Sequence, residues 1–120
     1  MKAALWRVRV AIVSTVTMML EKACSSAFSK HFLETSVEIL NMGAKDAKYH
    51  QVRGEVAKCI LVIAKRTEKD AEAAALFKPS SDEIRDITRL LSRDGDPNTQ
   101  QRGQLARDSL GKTYGLTFTK

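Results

Sequence analysis

A chain of 120 residues is the size of one domain, and 43% hydrophobic and 28% charged residues with only two prolines and six glycines exclude disorder and leave long stretches free to be helical. Twenty Lys and Arg against fourteen Asp and Glu give a net charge of +6, which favours acidic partners by long-range attraction without choosing among a protein surface, a nucleic acid and an anionic membrane. Cys24 and Cys59 lie too far apart for a metal or redox motif, so both read as small buried hydrophobes, reduced and unbridged, which points to a cytoplasmic location.

The first expected helix covers residues 3–24. Leu5, Val8, Ile12, Val16, Met19 and Ala23 recur on it at helical spacing and read as one apolar stripe facing the core. Lys2, Arg7 and Arg9 precede the apolar run Ala11–Leu20, and Ala23-Cys24-Ser25-Ser26-Ala27 would serve as a cleavage site, so the segment shares the order of a targeting signal. Ser14, Thr15 and Thr17 interrupt the run, however, and it falls short of the roughly 20 mostly apolar residues of a membrane span.

A second helix is expected over 26–42, with Phe28, Phe32, Leu33, Val37, Ile39 and Leu40 on its apolar face and Gly43 as its stop. The third runs over 47–66 with Val52, Val56, Cys59, Ile60 and Ile63 inward. Helix formers from Glu68 to Leu76 predict a short additional helix. The fifth covers 81–93, opened by Pro79 and a capping box of Ser80 with Glu83, and presents Ile84, Ile87, Leu90 and Leu91. After Gly95, Asp96 is placed to cap a last helix over 97–112 and Pro97 occupies its first position, where a missing N–H costs nothing. The only strand-like alternation runs from Tyr114 to Thr119.

The chain repeats itself. Gln51-Val52-Arg53-Gly54-Glu55-Val56-Ala57-Lys58-Cys59-Ile60-Leu61 aligns without gaps on Gln100-Gln101-Arg102-Gly103-Gln104-Leu105-Ala106-Arg107-Asp108-Ser109-Leu110, and a fainter copy begins at Val8-Arg9. The three arginines stand 44 and 49 residues apart, bracketing the upper end of the unit length of helical repeats.

With an acid in the turn before each later copy, Val52-Arg53 and Gln101-Arg102 resemble the HEAT repeat. In that family the acid and the arginine belong to a hydrogen-bond ladder, so the resemblance implies structural roles for Asp46 with Arg53 and for Asp96 with Arg102. It also implies an all-α, HEAT/armadillo-like solenoid of antiparallel helix pairs with about two and a half repeats, one domain over 1–114 and a tail at 115–120. Basic turns within such repeats are similar to those of tubulin-binding TOG domains, where the turns line one edge. That likeness implies a partner-binding edge of Lys2, Trp6, Arg7, Lys45, Lys48, Arg93 and Asn98, with Tyr49, His50 and Gln100 in the same turns.

Each of these residues also has a plainer use. Arg53 and Arg102 suit a ladder better than a binding site, a lone Trp6 at a helix start suits packing better than a hot spot, and Lys45 and Lys48 suit a solvated turn as well as a contact. His31 and His50 lack neighbours at metal-ligand spacing, no glycine-rich phosphate loop is present, and no serine has a paired base. The expectation is therefore a scaffold without catalysis, cofactor or metal, whose partner is an acidic protein surface such as tubulin. A nucleic acid is the alternative, with Trp6, Tyr49 and Tyr114 as its candidate stacking residues; cations confined to one edge of turns favour the protein. Nothing in the residues fixes the oligomeric state.

Overall fold

The computed structural model describes residues 2–115, with Lys2, Ala3, Ala4 and Ser25 described in backbone only. The strand-like tail expected up to Thr119 lies almost wholly outside the described residues. Among them there is no strand: the elements are α1 (Lys2–Lys22), α2 (Lys30–Ala44), α3 (His50–Lys69), α4 (Ala71–Phe77), α5 (Ser81–Leu91) and α6 (Pro97–Tyr114), with single 3-10 turns at Ser25–Ala27 and Lys78–Ser80.

Local chemistry accounts for most boundaries. Ser29 caps α2 by accepting from the Phe32 N–H, Asp70 caps α4 by accepting from the N–H groups of Glu72 and Ala73, and Asp96 caps α6 by accepting from the Thr99 N–H with Pro97 just inside. The short helix expected between the third and fifth is α4. At the far end Gly115 closes α6 in the left-handed conformation, φ 64°.

Two expected signals are used differently. Gly43 does not stop α2, which continues through it to Ala44. Glycine is there for packing, because a Cβ on Gly43 would stand 2.6 Å from Val56 Cγ2 of α3. The capping box before α5 does not form either: Ser80 is buried and makes no side-chain cap bond. Its 3-10 turn runs straight into the helix, leaving no extended residue from which a hydroxyl could reach back.

The helices lie in two layers. Central α3 packs between α1 and α6, while α2 and α5 pack on each other and across α3 to form the second layer. The shortest dimension, 19 Å, is that of two helices of about 10 Å each. One continuous core joins all six helices, from Val13, Val16 and Leu20 through Leu33, Val37 and Leu40, then Val56, Cys59, Ile60 and Ile63, to Phe77, Ile84, Ile87, Leu91, Ala106 and Leu110. Phe32 packs against it half-buried, and Leu90 of the expected α5 face is exposed.

The largest difference from expectation concerns α1. Its buried residues are Val13, Val16, Thr17 and Leu20, whereas Leu5, Val8, Ile12 and Met19 of the expected core stripe face outward. Apolar residues surround this helix on almost every side, so periodicity alone selects no face; packing against α3 does. At the end of α1, Cys24 is exposed where a buried thiol was expected, while Cys59 is fully enclosed.

Candidate functional site

Layer packing sets the start of α1, the α2–α3 turn and the α5–α6 turn beside one another. Trp6 and Tyr49 stack at 5.8 Å between ring centroids with planes 24° apart. The guanidinium of Arg7 lies 5.3 Å from the Trp6 ring centre and the ammonium of Lys48 lies 5.4 Å from that of Tyr49. Both cations are exposed and both rings half-buried. An aromatic pair of this kind contributes about 0.5–1.5 kcal/mol beyond its burial, and each exposed cation over a ring about 0.5–1 kcal/mol. The cluster is thus partly self-supporting, with two exposed cations against its outside.

Beside it a shallow cleft of about 480 Å³ runs between the second and third turns, lined by Lys45, Arg93 and Gly95 with Asp46, Arg53 and Asp94. Of the seven residues expected at the edge, Trp6, Arg7 and Lys48 meet in the aromatic cluster and Lys45 and Arg93 share this cleft. Asn98 is exposed on the first turn of α6. The side chain of Lys2 lies outside the described residues. Tyr49, read from the sequence as a turn residue and a candidate stacking ring, is the ring that meets Trp6 in the cluster.

Beneath these cations the turns are tied together by ion pairs. Asp46 accepts from Arg9 at 2.9 Å, and Arg53 donates to Asp94 at 2.6 and 3.2 Å and to the Asp46 carbonyl at 2.9 Å. Each arginine therefore reaches the carboxylate of the following turn, not that of its own. Among the described residues Asp96 belongs to no such pair; it caps α6, accepting from both the N–H and the hydroxyl of Thr99. Arg102, with no later turn described, donates to the Gly54 carbonyl at 3.4 Å.

Burial opposes ionisation of Asp46, but the backbone N–H groups of Tyr49 and Lys48 and the Arg9 guanidinium outweigh it and hold the carboxyl below the usual range. Asp94 follows the same balance: burial raises its pKa, while Arg53 and the Asp96 N–H lower it further than burial raises it. Each turn consequently keeps a carboxylate beside its exposed cations, Lys45 and Lys48 in one and Arg93 in the other, and that carboxylate accepts from the N–H groups of its own turn.

The Tyr114 hydroxyl donates to the Ala74 carbonyl at 2.7 Å, and burial, against a weaker Thr67 contact, pushes its pKa up to about 12; it is a packing residue. Among the described residues no group of three His, Cys, Asp or Glu side chains could hold a metal, and no helix is long and apolar enough to cross a membrane. No family model, no curated protein and no solved structure matches the chain.

Proposed function

We propose that the chain is a non-catalytic interaction scaffold of the HEAT type, about two and a half helix-pair repeats, whose row of turns docks an acidic protein. Tubulin is the first candidate partner. The observation that carries the reading is the convergence of Trp6, Arg7, Lys48 and Tyr49 into one cluster beside the cleft that holds Lys45 and Arg93. An anchor of stacked rings flanked by exposed cations has the composition of a binding hot spot for a carboxylate-rich surface. Supporting the repeat assignment are the two layers of alternating helices and the arginine-to-next-turn ion pairs, Arg9 with Asp46 and Arg53 with Asp94. The two rings stack on each other and leave less free face for a nucleobase, so a nucleic acid is the weaker reading.

The test compares Lys45→Glu with Lys48→Glu as a double variant against Arg107→Glu, placed mid-α6 away from the turns. Binding to unpolymerised tubulin, measured after nuclease treatment, weakens at least tenfold in the turn variant only, and weakens with salt because exposed charges are screened beyond about 8 Å at physiological ionic strength. No binding by the parent chain rejects tubulin. Equal loss in Arg107→Glu rejects the edge.

A further inference from the structure

Among the described residues, no other element covers the outer face of α1. Leu5, Val8, Ile12 and Met19 recur along it, joined by Met18, with exposures of 48, 53, 45, 43 and 54%. A helix apolar on nearly all sides is ordinarily enclosed, and contiguous large apolar residues on a surface mark a contact site. The exposed cations of α1 are Arg7, Arg9 and Lys22, of which Arg9 pairs with Asp46, and the only acid of the helix is Glu21 near its end.

A second uncovered surface has the opposite character. Between α2 and α5 lies a groove of about 750 Å³ with Val37, Ile87 and Leu90 in its floor and Glu34, Glu38, Glu83 and Asp86 along its walls, while Lys30 and Lys45 stand at the two ends of α2. All four acids are exposed, and Glu34, Glu38 and Glu83 make no ion pair among the described residues; Asp86 meets only the neighbouring Arg85, at 3.4 Å. The groove is shaped and charged for an apolar helix ridge flanked by cations.

We propose that the α2–α5 groove receives the outer face of α1 from a second copy of the chain. Each surface supplies what the other lacks. Pairing α1 with α1 would bring Arg7 and Lys22 of one copy against the cations of the other, and pairing groove with groove would oppose four carboxylates to four. The unlike pairing buries apolar surface while setting the cations of α1 against four carboxylates, whereas an α1–α1 contact offers them Glu21 alone. It is also directional: a copy whose groove is filled still offers its own α1, so association passes beyond two copies into a ring or filament.

Sedimentation velocity of the full chain over a range of concentrations tests this, with two variants at exposed positions and circular dichroism to confirm folding. The parent is expected to exceed two copies as concentration rises. Ile12→Glu spoils the α1 face, Glu38→Lys with Glu83→Lys spoils the groove walls, and each alone stays at the 13.3 kDa of one chain. Mixed, they form a complex that stops at two copies, since one intact face and one intact groove remain. Continued self-association of the groove variant overturns the proposal in favour of an α1–α1 contact. It is equally overturned if the two variants ignore each other, or if the parent stays monomeric, whether or not it sediments with phosphatidylserine vesicles through Ile12.

Discussion

Arg53 grips Asp94 with both edges of its guanidinium, Nε to Oδ2 at 2.6 Å and Nη2 to Oδ1 at 3.2 Å, and its remaining Nη1 holds the Asp46 carbonyl at 2.9 Å. One planar group therefore fastens two turns, which a lysine ammonium cannot imitate. The two side chains are only 20% and 6% exposed, so water screens the pair weakly. Arg53→Lys should lower unfolding stability by about 2 kcal/mol. The equivalent Arg9→Lys should lower it by less than about 1 kcal/mol, because Arg9 is 57% exposed. Urea unfolding of both variants decides; equal losses would contradict this ranking.

Gly54 and Gly103 occupy the same position in the two aligned segments but carry different loads. A Cβ at Gly103 would lie 2.7 Å from the Ser92 N and 2.8 Å from the Leu91 carbonyl carbon, both backbone atoms that cannot swing away. At Gly54 the nearest atom is the Thr99 hydroxyl at 3.3 Å. Alanine ordinarily improves a helix interior by about 1 kcal/mol over glycine. Gly103→Ala should nonetheless destabilise by about 1–3 kcal/mol, as overpacking does, while Gly54→Ala should stay within about 1 kcal/mol of the parent. A neutral Gly103→Ala would show that α5 and α6 separate easily.

The turn carboxylates make stability depend on acid. Asp46 and Asp94 both titrate below their ordinary value in the folded chain, the burial that opposes their ionisation being outweighed by hydrogen-bond donors and arginines. A depressed folded pKa contributes stability that is whole above the unfolded value, about 3.9, and drains away as pH falls through the folded value. Unfolding free energy measured against pH should therefore drop below about pH 4. Asp94→Asn should flatten that drop and leave the profile from about pH 6 to 8 unchanged in slope. A slope altered near neutrality instead would implicate other groups.

What the sequence made legible follows the reach of its signals. Helix positions were readable because caps and breakers act within a few residues, as at Asp96-Pro97 and in the helix formers of α4. The inward stripe of α3 was readable because its opposite side is polar; the face of α1 was not, since Leu5, Val8 and Ile12 compete with Val13, Val16 and Leu20 and only contact with α3 decides. Gly43 carried the look of a helix stop and serves instead as a slot for Val56. At the site, the basic turns were visible one by one, but Trp6 on Tyr49 and Arg53 on Asp94 join distant segments and depend on the stacking of layers. The resemblance to the HEAT repeat set Asp46 beside Arg53 and Asp96 beside Arg102 as ladder residues. In space the next turn comes closer to Arg53, and Asp96 is spent on its cap.

The two thiols provide a clock for the opening of this core. Cys24 is exposed and Cys59 is fully buried between α1 and the rest of the core. Burial pushes the Cys59 thiol up to about 12, with the Thr17 hydroxyl working weakly the other way, so both access and ionisation block it. Since the thiolate is the reacting form, Ellman's reagent near neutral pH should modify one thiol per chain at once and the second only as the core opens. That slow phase then measures the opening equilibrium. Ile60→Ala removes a neighbour from the same cluster and should cost about 2–5 kcal/mol. At about 1.4 kcal/mol for each tenfold change, the slow phase should accelerate by roughly 30-fold to several thousandfold while the fast phase keeps its rate. Two thiols reacting together in the native parent, or a slow phase indifferent to Ile60→Ala, would mean that Cys59 is reached by a local path and not through the inter-helix core.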